Sequence, residues 1–520
     1  MAQSIPGDVN QDKDNMNILL INVPSRSGKG GFILPLGLLY VGGIIERCGH
    51  KVRILDLYLD DTDLKSLKSE DYGRVYKQID EFNPDIIGYG GIATSYGRTK
   101  KLAKAVRSRY NGIFQIAGGP LASVYDLLLE KAGIDLVFHG ETEKSLQVFL
   151  DNFSNKRPVF DISGVSYLRN GSITRNKEAG QVDDLDSIPF PAYHLVDVAK
   201  YMHSIDSWLS SNNSMIKESP KSADIINRIG NKKTFIPIVA SRGCTHRCFF
   251  CYRHVHGVRR HSVKYVIDHI KYLQKTYNSD GFQFCDELFN SDPEWVAAFC
   301  GAIEEKKLDI FYFVGGARVD KVNEKMLRSL KQTGCIEINY GHESGSDTIL
   351  KEYRKGVTVQ KNKEVTLMTL RDIGLYCPVQ LVIGAPSETA ATINETIRFL
   401  KDLDASQASL NYLIPLPETP SWQYVQDKKL ISDTEAYLDQ VAEEGGSPIV
   451  NLTGADHRVW KSWGPLIWKE LQLNEKKKRH PRFYFVYFLL YNIVYSIEAL
   501  IPSHYRRIMR KYVKSILRRK

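Results

Sequence analysis

Cysteine is scarce in this chain, which has only eight cysteines among 520 residues, together with seven methionines and six tryptophans. Such sparse cysteine argues against a disulfide framework, which is typical of small secreted domains. The chain also lacks internal repeats and low-complexity tracts, and residues 1–15 lack the charged-then-apolar layout of a secretory signal. We therefore expect a cytoplasmic protein of two or three globular domains in a reducing compartment.

The chain as a whole also has little surplus charge, although its formal net charge is +10. Residues 475–520 contain 13 Lys and Arg against Glu475 and Glu498, a local charge of +11. The other 474 residues therefore sum to about −1. Phosphate binding needs clustered positive charge on the working face, so we expect no nucleic-acid partner for the body of the chain.

The first part of the chain alternates apolar runs with amphipathic stretches. Strands are predicted at 17–22, 51–56, 85–90, 112–119 and 135–138, and helices near 35–47, 64–82, 95–110, 123–131 and 141–151. This order predicts an α/β fold over residues 1–153, with a doubly wound, flavodoxin-like parallel sheet covered on both faces. Ligands of such sheets lie beyond the carboxyl ends of the strands, where glycines follow the third, fourth and fifth strands.

The second part begins after a different kind of segment. Residues 154–233 contain a predicted hairpin around Asn170-Gly171 and then a polar, turn-rich linker. Six further strands are predicted at 235–241, 281–286, 310–316, 336–341, 378–384 and 409–414, with helices between them. Over residues 234–430 this order predicts a (β/α)6 partial barrel, with its chemistry at the carboxyl ends of the strands. Residues 431–520 are predicted to be a helical C-terminal region.

Three of the eight cysteines lie in SRGCTHRCFFCYRH (241–254), directly after the first strand of the second series. Arg242, Gly243 and other polar neighbours surround them, which argues against one buried helix face. A zinc site that uses His246, His254 or His256 is an alternative, because zinc accepts mixed cysteine and histidine ligands. An iron–sulfur cluster usually takes four cysteines, so three would leave one iron open.

The spacing C-x3-C-x2-C, with aromatic residues at Phe250 and Tyr252, resembles the signature of the radical S-adenosylmethionine enzymes. This resemblance implies that Cys244, Cys248 and Cys251 hold a 4Fe–4S cluster. It also implies that the open iron chelates S-adenosylmethionine, which electron transfer from the cluster cleaves to a 5′-deoxyadenosyl radical.

Later motifs resemble further elements of the same family in the same order. They are CDE (285–287), Arg318 after the third strand, GHESGS (341–346), VIGAPSET (382–389) and LIPLPETP (413–420). The resemblance implies that the contacts to S-adenosylmethionine come from Tyr252, Asp286, Glu287, Arg318, Glu343 and Gly384. The alternative for Asp286 or Glu343 is a helix N-cap or a surface acid.

The first domain resembles the cobalamin-binding subclass of this family, similar to the anaerobic magnesium-protoporphyrin monomethyl ester cyclase group. The segments that carry this resemblance are PLGLLYVGGIIERCGHKVRILD (35–56), AGGPLASV (117–124) and FHGETEKS (138–145). It implies bound cobalamin, with contacts from Thr94, Ser95, Gly118, Gly119, Gly140 and Glu141. The loop NVPSRSGKGGF (22–32) lacks a cobalt-binding histidine, which predicts base-off cobalamin and leaves a relic domain without corrin as the alternative.

The tail allows two interpretations. Residues 483–497 carry no charge, but this run of fifteen is shorter than the ~20 residues that a membrane span requires. Tyr484, Tyr487, Tyr491 and Tyr495 form one helical stripe, and basic clusters flank the run. Residues 479–520 either lie on anionic lipid at the inner face of the membrane or pack on the barrel.

Together these features predict a cobalamin-dependent radical enzyme that methylates an unactivated carbon. Oxidative cyclisation or rearrangement of a tetrapyrrole, lipid or natural product is the alternative within the same scaffold. A non-catalytic binding protein that zinc or a cluster stabilises is the alternative outside it. The expected partners are a small or lipid-like substrate and an electron donor such as flavodoxin or ferredoxin. The catalytic side chains and the substrate do not follow from the sequence.

Overall fold

The computed structural model describes residues 15–25, 34–59, 71–210, 222–253, 255–444 and 449–500. Parts of the loop 22–32 and of the linker within 154–233 lie outside the described residues, and so do His254 and the last twenty residues of the basic tail.

The first sheet contains the five predicted strands of the first domain. These are β1 (Asn17–Asn22), β2 (Lys51–Asp56), β3 (Ile86–Gly90), β4 (Phe114–Gly118) and β5 (Leu136–Phe138). They pair in parallel in the order β2-β1-β3-β4-β5, which is the flavodoxin-like order. Every residue of β3 is buried, as expected for a central parallel strand with both faces covered. The predicted fold class is confirmed.

A hairpin extends this sheet beyond β5. It consists of β6 (Val165–Arg169) and β7 (Ser172–Arg175), and β6 pairs antiparallel with β5. Asn170 and Gly171 both have positive φ, at 52° and 76°, as a tight two-residue hairpin turn requires. The predicted hairpin is confirmed, and the structure adds that it belongs to the first sheet. The domain boundaries at residues 153, 233 and 430 stay predictions.

Helices cover both faces of the first sheet. They are α1 (Leu36–Arg47), α2 (Gly73–Phe82), α3 (Tyr96–Arg109) and α4 (Glu143–Ser154). The helix predicted over 123–131 is present, but it is irregular. Residues 119–132 form a 3₁₀ turn, one α-helical turn and a π-helical turn that ends at Gly133. Pro120 supplies no backbone N–H and suits a tight turn directly after β4.

The second sheet contains the six predicted strands of the partial barrel. They are β9 (Thr234–Ile238), β12 (Gly281–Phe284), β13 (Phe311–Ala317), β14 (Cys335–Glu343), β15 (Val379–Ile383) and β16 (Ala408–Tyr412). The six strands run parallel, and the short β8 (His203–Ser204) adds antiparallel beside β9. Since β9 does not pair with β16 in this order, the barrel is open along one side. A two-stranded ribbon of β10 (Ser241–Arg242) and β11 (Arg259–Arg260) brackets the cysteine loop.

Helices follow the strands of the second sheet. They are α5 (Ser222–Ile229), α6 (Val263–Tyr277), α7 (Pro293–Glu305), α8 (Glu324–Gln332), α9 (Asp347–Glu352), α10 (Val359–Leu367) and α11 (Ala390–Asp402). Several start at side-chain caps. Asp292 accepts hydrogen bonds from the first turn of α7, and Thr389 accepts one in α11. These caps satisfy backbone N–H groups that no helical carbonyl reaches.

The C-terminal region packs on both halves of the chain. Its helices are α12 (Pro420–Asp427), α13 (Thr434–Glu444), α14 (His457–Arg479) and α15 (Tyr484–Leu500). Lys100 of α3 lies 2.8 Å from both Glu435 and Asp439 of α13, which ties this region to the first domain. Trp460 of α14 is buried against the end of the second sheet. Within the described residues, none of the helices has the length and apolar character to cross a membrane.

Candidate cofactor and active site

A cavity of about 620 Å³ lies where the carboxyl ends of the two sheets meet. Its first wall comes from the ends of β1, β3, β4 and β5 together with the start of α1. Its second wall comes from the cysteine-loop segment and the end of β12, including Gly243, Cys285 and Glu287. The two domains therefore contribute to one shared space.

Glycines form the floor of the first wall. A Cβ atom at Gly90 would lie 2.7 Å from Leu38 Cδ2, so a side chain there would require Leu38 to move. Gly119 and Gly140 have φ of 67° and 65°, a backbone conformation that favours glycine. Gly118, Gly119 and Gly140 line the cavity, as the sequence predicts. This open backbone floor fits a large flat ligand such as the predicted cobalamin.

The other predicted corrin contacts lie nearby but differ in their surroundings. Thr94 and Ser95 lie in the turn between β3 and α3, and neither residue lines the cavity. The Oγ1 atom of Thr94 is buried and has no hydrogen-bond partner among the described residues. Ser95 donates its hydroxyl hydrogen to the carbonyl of Val23 at 3.0 Å, which fixes the loop after β1.

The cysteine loop turns sharply as it leaves β10. Gly243 has φ of 88°, and a Cβ there would lie 2.3 Å from the carbonyl oxygen of Gly257. Only glycine fits this position, which sets the course of the chain into Cys244.

The cysteine side chains are close enough to affect one another. The hydrogen bond with Cys251 lowers the pKa of the Cys248 thiol, and the nearby cations Lys355 and Arg318 lower it too, while the same hydrogen bond and burial raise the pKa of Cys251. Burial raises the pKa of Cys244, while the negative form of Cys248 adds to that rise. Metal ligation needs thiolates, and the cations Lys355 and Arg318 beside the loop favour negative charge there.

The zinc alternative gains no support from the part of the chain that the structure covers. No three His, Cys, Asp or Glu side chains among the described residues are grouped to hold a single metal ion, and because this includes Cys244, Cys248 and Cys251, the grouping does not distinguish zinc from a cluster. His246 is half-buried, and its Nε2 atom has no hydrogen-bond partner among those residues. His254 lies outside the described residues.

The two acids after β12 have different surroundings. Asp286 is buried, accepts hydrogen bonds from the Ala240 N–H at 3.2 Å and accepts one from the Ser241 hydroxyl. Burial raises its pKa to about 6. Asp286 therefore joins the end of β9 to the end of β12. Glu287 lines the cavity, and burial raises the pKa of its carboxyl while the Gly243 N–H lowers it.

The predicted contacts at the third and fourth strand ends form one chain of hydrogen bonds. Arg318 donates to Asp320 Oδ1 at 2.8 Å and to the carbonyl of Lys355 at 2.5 Å. The Nζ atom of Lys355 lies 3.0 Å from Oε1 of Glu343. Glu343 is buried and has φ of 61° at the last residue of β14. Sequence reasoning missed Lys355, which follows the GHESGS segment by several residues and lies in no motif.

The remaining two predicted S-adenosylmethionine contacts lie at loops. Gly384 follows β15 with φ of 102°, and its N–H donates to the carboxylate of Glu388. Tyr252 is half-buried, and burial together with Glu418 raises its pKa. The comparisons below do not test individual side chains, so all of these contacts stay predictions.

A buried cluster of four charges joins the two walls of the cavity. Glu141 lies 2.5 Å from Arg259 and 3.5 Å from Arg242, and it accepts a hydrogen bond from the Val182 N–H at 2.8 Å. Glu143 lies 2.5 Å from Arg242. These partners lower the pKa of Glu141 against the effect of its burial. The sequence predicted a corrin contact for Glu141, and the structure adds that its carboxylate already has two arginine partners.

Two family models match the chain. The Radical SAM superfamily matches residues 238–400, and the B12 binding domain matches residues 29–150. These are the partial barrel with its cysteine loop and the flavodoxin-like sheet with its glycine floor. The cavity lies between the two matched segments.

Curated relatives match most of the chain. An uncharacterized methyltransferase of Pyrococcus horikoshii, PH0819, is 28% identical over 80% of this chain and 84% of its own. An anaerobic magnesium-protoporphyrin IX monomethyl ester cyclase of Rubrivivax gelatinosus is 24% identical over 81% of this chain and 72% of its own. The solved structure of the cobalamin-dependent S-adenosylmethionine radical enzyme OxsB, with aqua-cobalamin and S-adenosylmethionine bound, has a TM-score of 0.65. That match is 16% identical, covers 96% of this chain and 71% of the other, and shows the shared fold.

These matches confirm the predicted cofactors, which are a 4Fe–4S cluster, S-adenosylmethionine and cobalamin. They confirm an enzyme and favour methyl transfer as its main reaction. The chain belongs to the cobalamin-binding radical S-adenosylmethionine enzymes.

Proposed function

We propose that this enzyme transfers a methyl group to an unactivated carbon of a small or lipid-like substrate in the cavity between its two domains. The observation that carries the proposal is the shared cavity. Its one wall is the glycine floor at Gly118, Gly119 and Gly140, and its other wall includes Gly243, next to the first predicted cluster ligand. A carbon held there would lie between the glycine floor and the start of the cysteine loop.

The side chains of the chain have separable roles in this proposal. Cys244, Cys248 and Cys251 would hold the cluster, and the glycine floor would admit the corrin ring. When bound, the cluster and S-adenosylmethionine supply the radical that abstracts hydrogen, and cobalamin supplies the methyl group. Lys355 orients Glu343 through its 3.0 Å contact at the end of β14. In this position the Glu343 carboxylate would accept hydrogen bonds from the ribose hydroxyls of S-adenosylmethionine.

The cavity also has an apolar wall. Leu20, Leu36, Leu38, Ile116 and Phe138 contribute apolar surface to the wall opposite the cysteine loop. A lipid-like or otherwise apolar substrate could pack against this surface.

Oxidative cyclisation is the second candidate, because the relative from Rubrivivax gelatinosus is named as a cyclase. The two reactions differ in their products. Methyl transfer yields one S-adenosylhomocysteine together with one 5′-deoxyadenosine per turnover. Oxidative cyclisation yields 5′-deoxyadenosine without S-adenosylhomocysteine.

The test uses enzyme reconstituted anaerobically with iron, sulfide and cobalamin. It is incubated with a chemical reductant, methyl-labelled S-adenosylmethionine and an extract of small molecules and lipids. We expect label in a new carbon–methyl product and equal amounts of the two nucleosides. A product without label, formed without S-adenosylhomocysteine, would overturn methyl transfer.

Matched cysteine variants test the assignment of the cluster ligands. Cys248→Ala should abolish iron binding and nucleoside cleavage. Cys48→Ala changes a half-buried cysteine at the end of α1, far along the chain from the loop, and should leave both unchanged. Iron content and 5′-deoxyadenosine formation are the two readouts.

We also propose flavodoxin or ferredoxin as the class of electron donor, because reductive cleavage of S-adenosylmethionine needs one electron at low potential. Reduced flavodoxin should replace the chemical reductant in the same assay. Failure of both protein donors, with the chemical reductant active, would refute this class.

A further inference from the structure

Helix α15 presents an apolar face that no described part of the protein covers. Phe485 is 68% exposed, and Val486, Leu489, Phe488 and Leu490 are between 38% and 52% exposed. These five side chains, which we call the outer face of α15, come from two successive turns. Large apolar side chains that are exposed next to one another often mark an interaction site, whereas exposed apolar side chains scattered singly over a surface do not.

The opposite side of the same helix packs on protein. Tyr487 is buried, its ring lies 5.1 Å from Lys476 Nζ of α14, and it also contacts His480. Lys469 of α14 donates to the side chain of Asn492 at 2.6 Å. Tyr487 and Asn492 therefore face α14, which leaves the outer face pointing away from the described part of the protein.

Positive charge surrounds the start of this face. Lys477, Arg479 and Arg482 are exposed at the end of α14 and in the turn before α15. In the sequence after α15, residues 501–520 include eight Lys and Arg and no acidic residue. A second copy of the chain on this face would bring these like charges together, whereas an anionic surface would neutralise them.

We propose that the outer face of α15 inserts into the headgroup region of an anionic lipid bilayer, with the flanking lysines and arginines on the lipid phosphates. The combination of phenylalanine and leucine with flanking cations is the one that interfacial helices use. The tyrosine side stays on α14, so the protein holds the helix parallel to the surface. This inference goes beyond methyl transfer and does not depend on it.

The experiment is sedimentation of the full-length protein with phosphatidylcholine vesicles, with and without phosphatidylglycerol. We expect binding that requires phosphatidylglycerol and weakens with salt. Phe485→Gln/Leu489→Gln should weaken the apparent affinity by about tenfold or more, because two apolar side chains no longer leave water. Lys477→Gln/Arg482→Gln should weaken it by about tenfold and reduce its salt dependence.

A matched control carries two equally polar changes elsewhere. Val148→Gln/Val459→Gln alters exposed valines of α4 and α14, at 49% and 45% exposure, and should bind vesicles as the unaltered protein does. Helical content by circular dichroism and iron content after reconstitution show that each variant is folded. No substrate is present, so the outcome is separate from any failure of methyl transfer.

Four results would overturn the proposal. The first is no binding to phosphatidylglycerol vesicles at low salt. The second is equal binding of Phe485→Gln/Leu489→Gln and the unaltered protein. The third is self-association that this variant abolishes, which would assign the face to a second copy. The fourth is that the new cysteine of Leu489→Cys does not react with a thiol reagent in the absence of vesicles, as read from the mass of the peptide that contains it. That result would show that residues 501–520 cover the face.

Discussion

The four-charge cluster between the cavity walls provides a quantitative test of how the domains are held together. Arg242 lies 2.5 Å from Glu143 and 3.5 Å from Glu141, and the side chains of Arg242 and Glu143 are only 17% and 10% exposed. In Arg242→Gln, Glu141 keeps Arg259, but Glu143 loses its arginine. Removing one partner of a buried ion pair lowers the free energy of unfolding by about 3–5 kcal/mol. Because Arg242 is partly exposed, we expect a loss of about 3 kcal/mol.

An exposed pair of the same length supplies the control. Arg328 lies 2.5 Å from Glu324 within α8, but these side chains are 59% and 57% exposed. Arg328→Gln should cost only about 0.5 kcal/mol, because water already solvates both charges. The Arg242–Glu143 and Arg328–Glu324 pairs have the same length and receive the same substitution, so they differ mainly in how deeply they are buried.

The assay is anaerobic thermal unfolding of the reconstituted enzyme. At about 2–4 °C per kcal/mol for a domain of this size, Arg242→Gln should lower Tm by about 6 °C or more. Adding Glu143→Gln removes the stranded acid and should restore part of that loss. If the two losses instead add within about 0.5 kcal/mol, the side chains are not coupled and the interpretation fails.

Three further predictions concern single positions. Gly243→Ala should lower the iron content strongly, because its Cβ would lie 2.3 Å from the carbonyl oxygen of Gly257. Gly257→Ala is the control. Its Cβ would have open space, so the variant should lose only about 1 kcal/mol of stability, owing to the positive φ of 72° at this position. Lys355→Met leaves the buried Glu343 carboxylate without its cation and should weaken S-adenosylmethionine binding about tenfold in equilibrium dialysis. Unchanged binding would show that Glu343 does not contact S-adenosylmethionine. Burial raises the pKa of Glu337 to about 7 from an ordinary 4.5, so the folded state binds this proton more tightly and stability falls as pH rises through that interval. Glu337→Gln should flatten the fall in Tm between about pH 4.5 and pH 7, and an unchanged slope would contradict the assignment.

The sheets were predictable from the sequence because their signals are local. Strands β1 and β2 have the predicted bounds, and most others differ by one or two residues at an end. A central parallel strand is a continuous apolar run, and glycines mark where it ends. The turns at 119–132 were not predictable in the same way, since a short amphipathic stretch after Pro120 has the composition of a regular helix.

The charge cluster was not predictable, because its partners are distant in sequence. Arg242 and Arg259 meet Glu141 across 101 and 118 residues, and no periodic pattern relates them. The hairpin of β6 and β7 had a clear turn signal, but its place beside β5 depends on tertiary packing. The sequence therefore showed which residues lie at strand ends and did not show which of them form pairs.

The position of the cluster connects stability to chemistry. Glu141 follows Gly140 on the first wall of the cavity. Arg242 precedes Gly243 on the second wall. Any widening of the cavity would separate these buried charges, and the broken pair would cost about 3 kcal/mol. The ion pairs thus hold the two walls at one separation before a substrate arrives. Hydrogen abstraction and methyl transfer at one substrate carbon would both need that carbon held in a fixed position relative to the two walls.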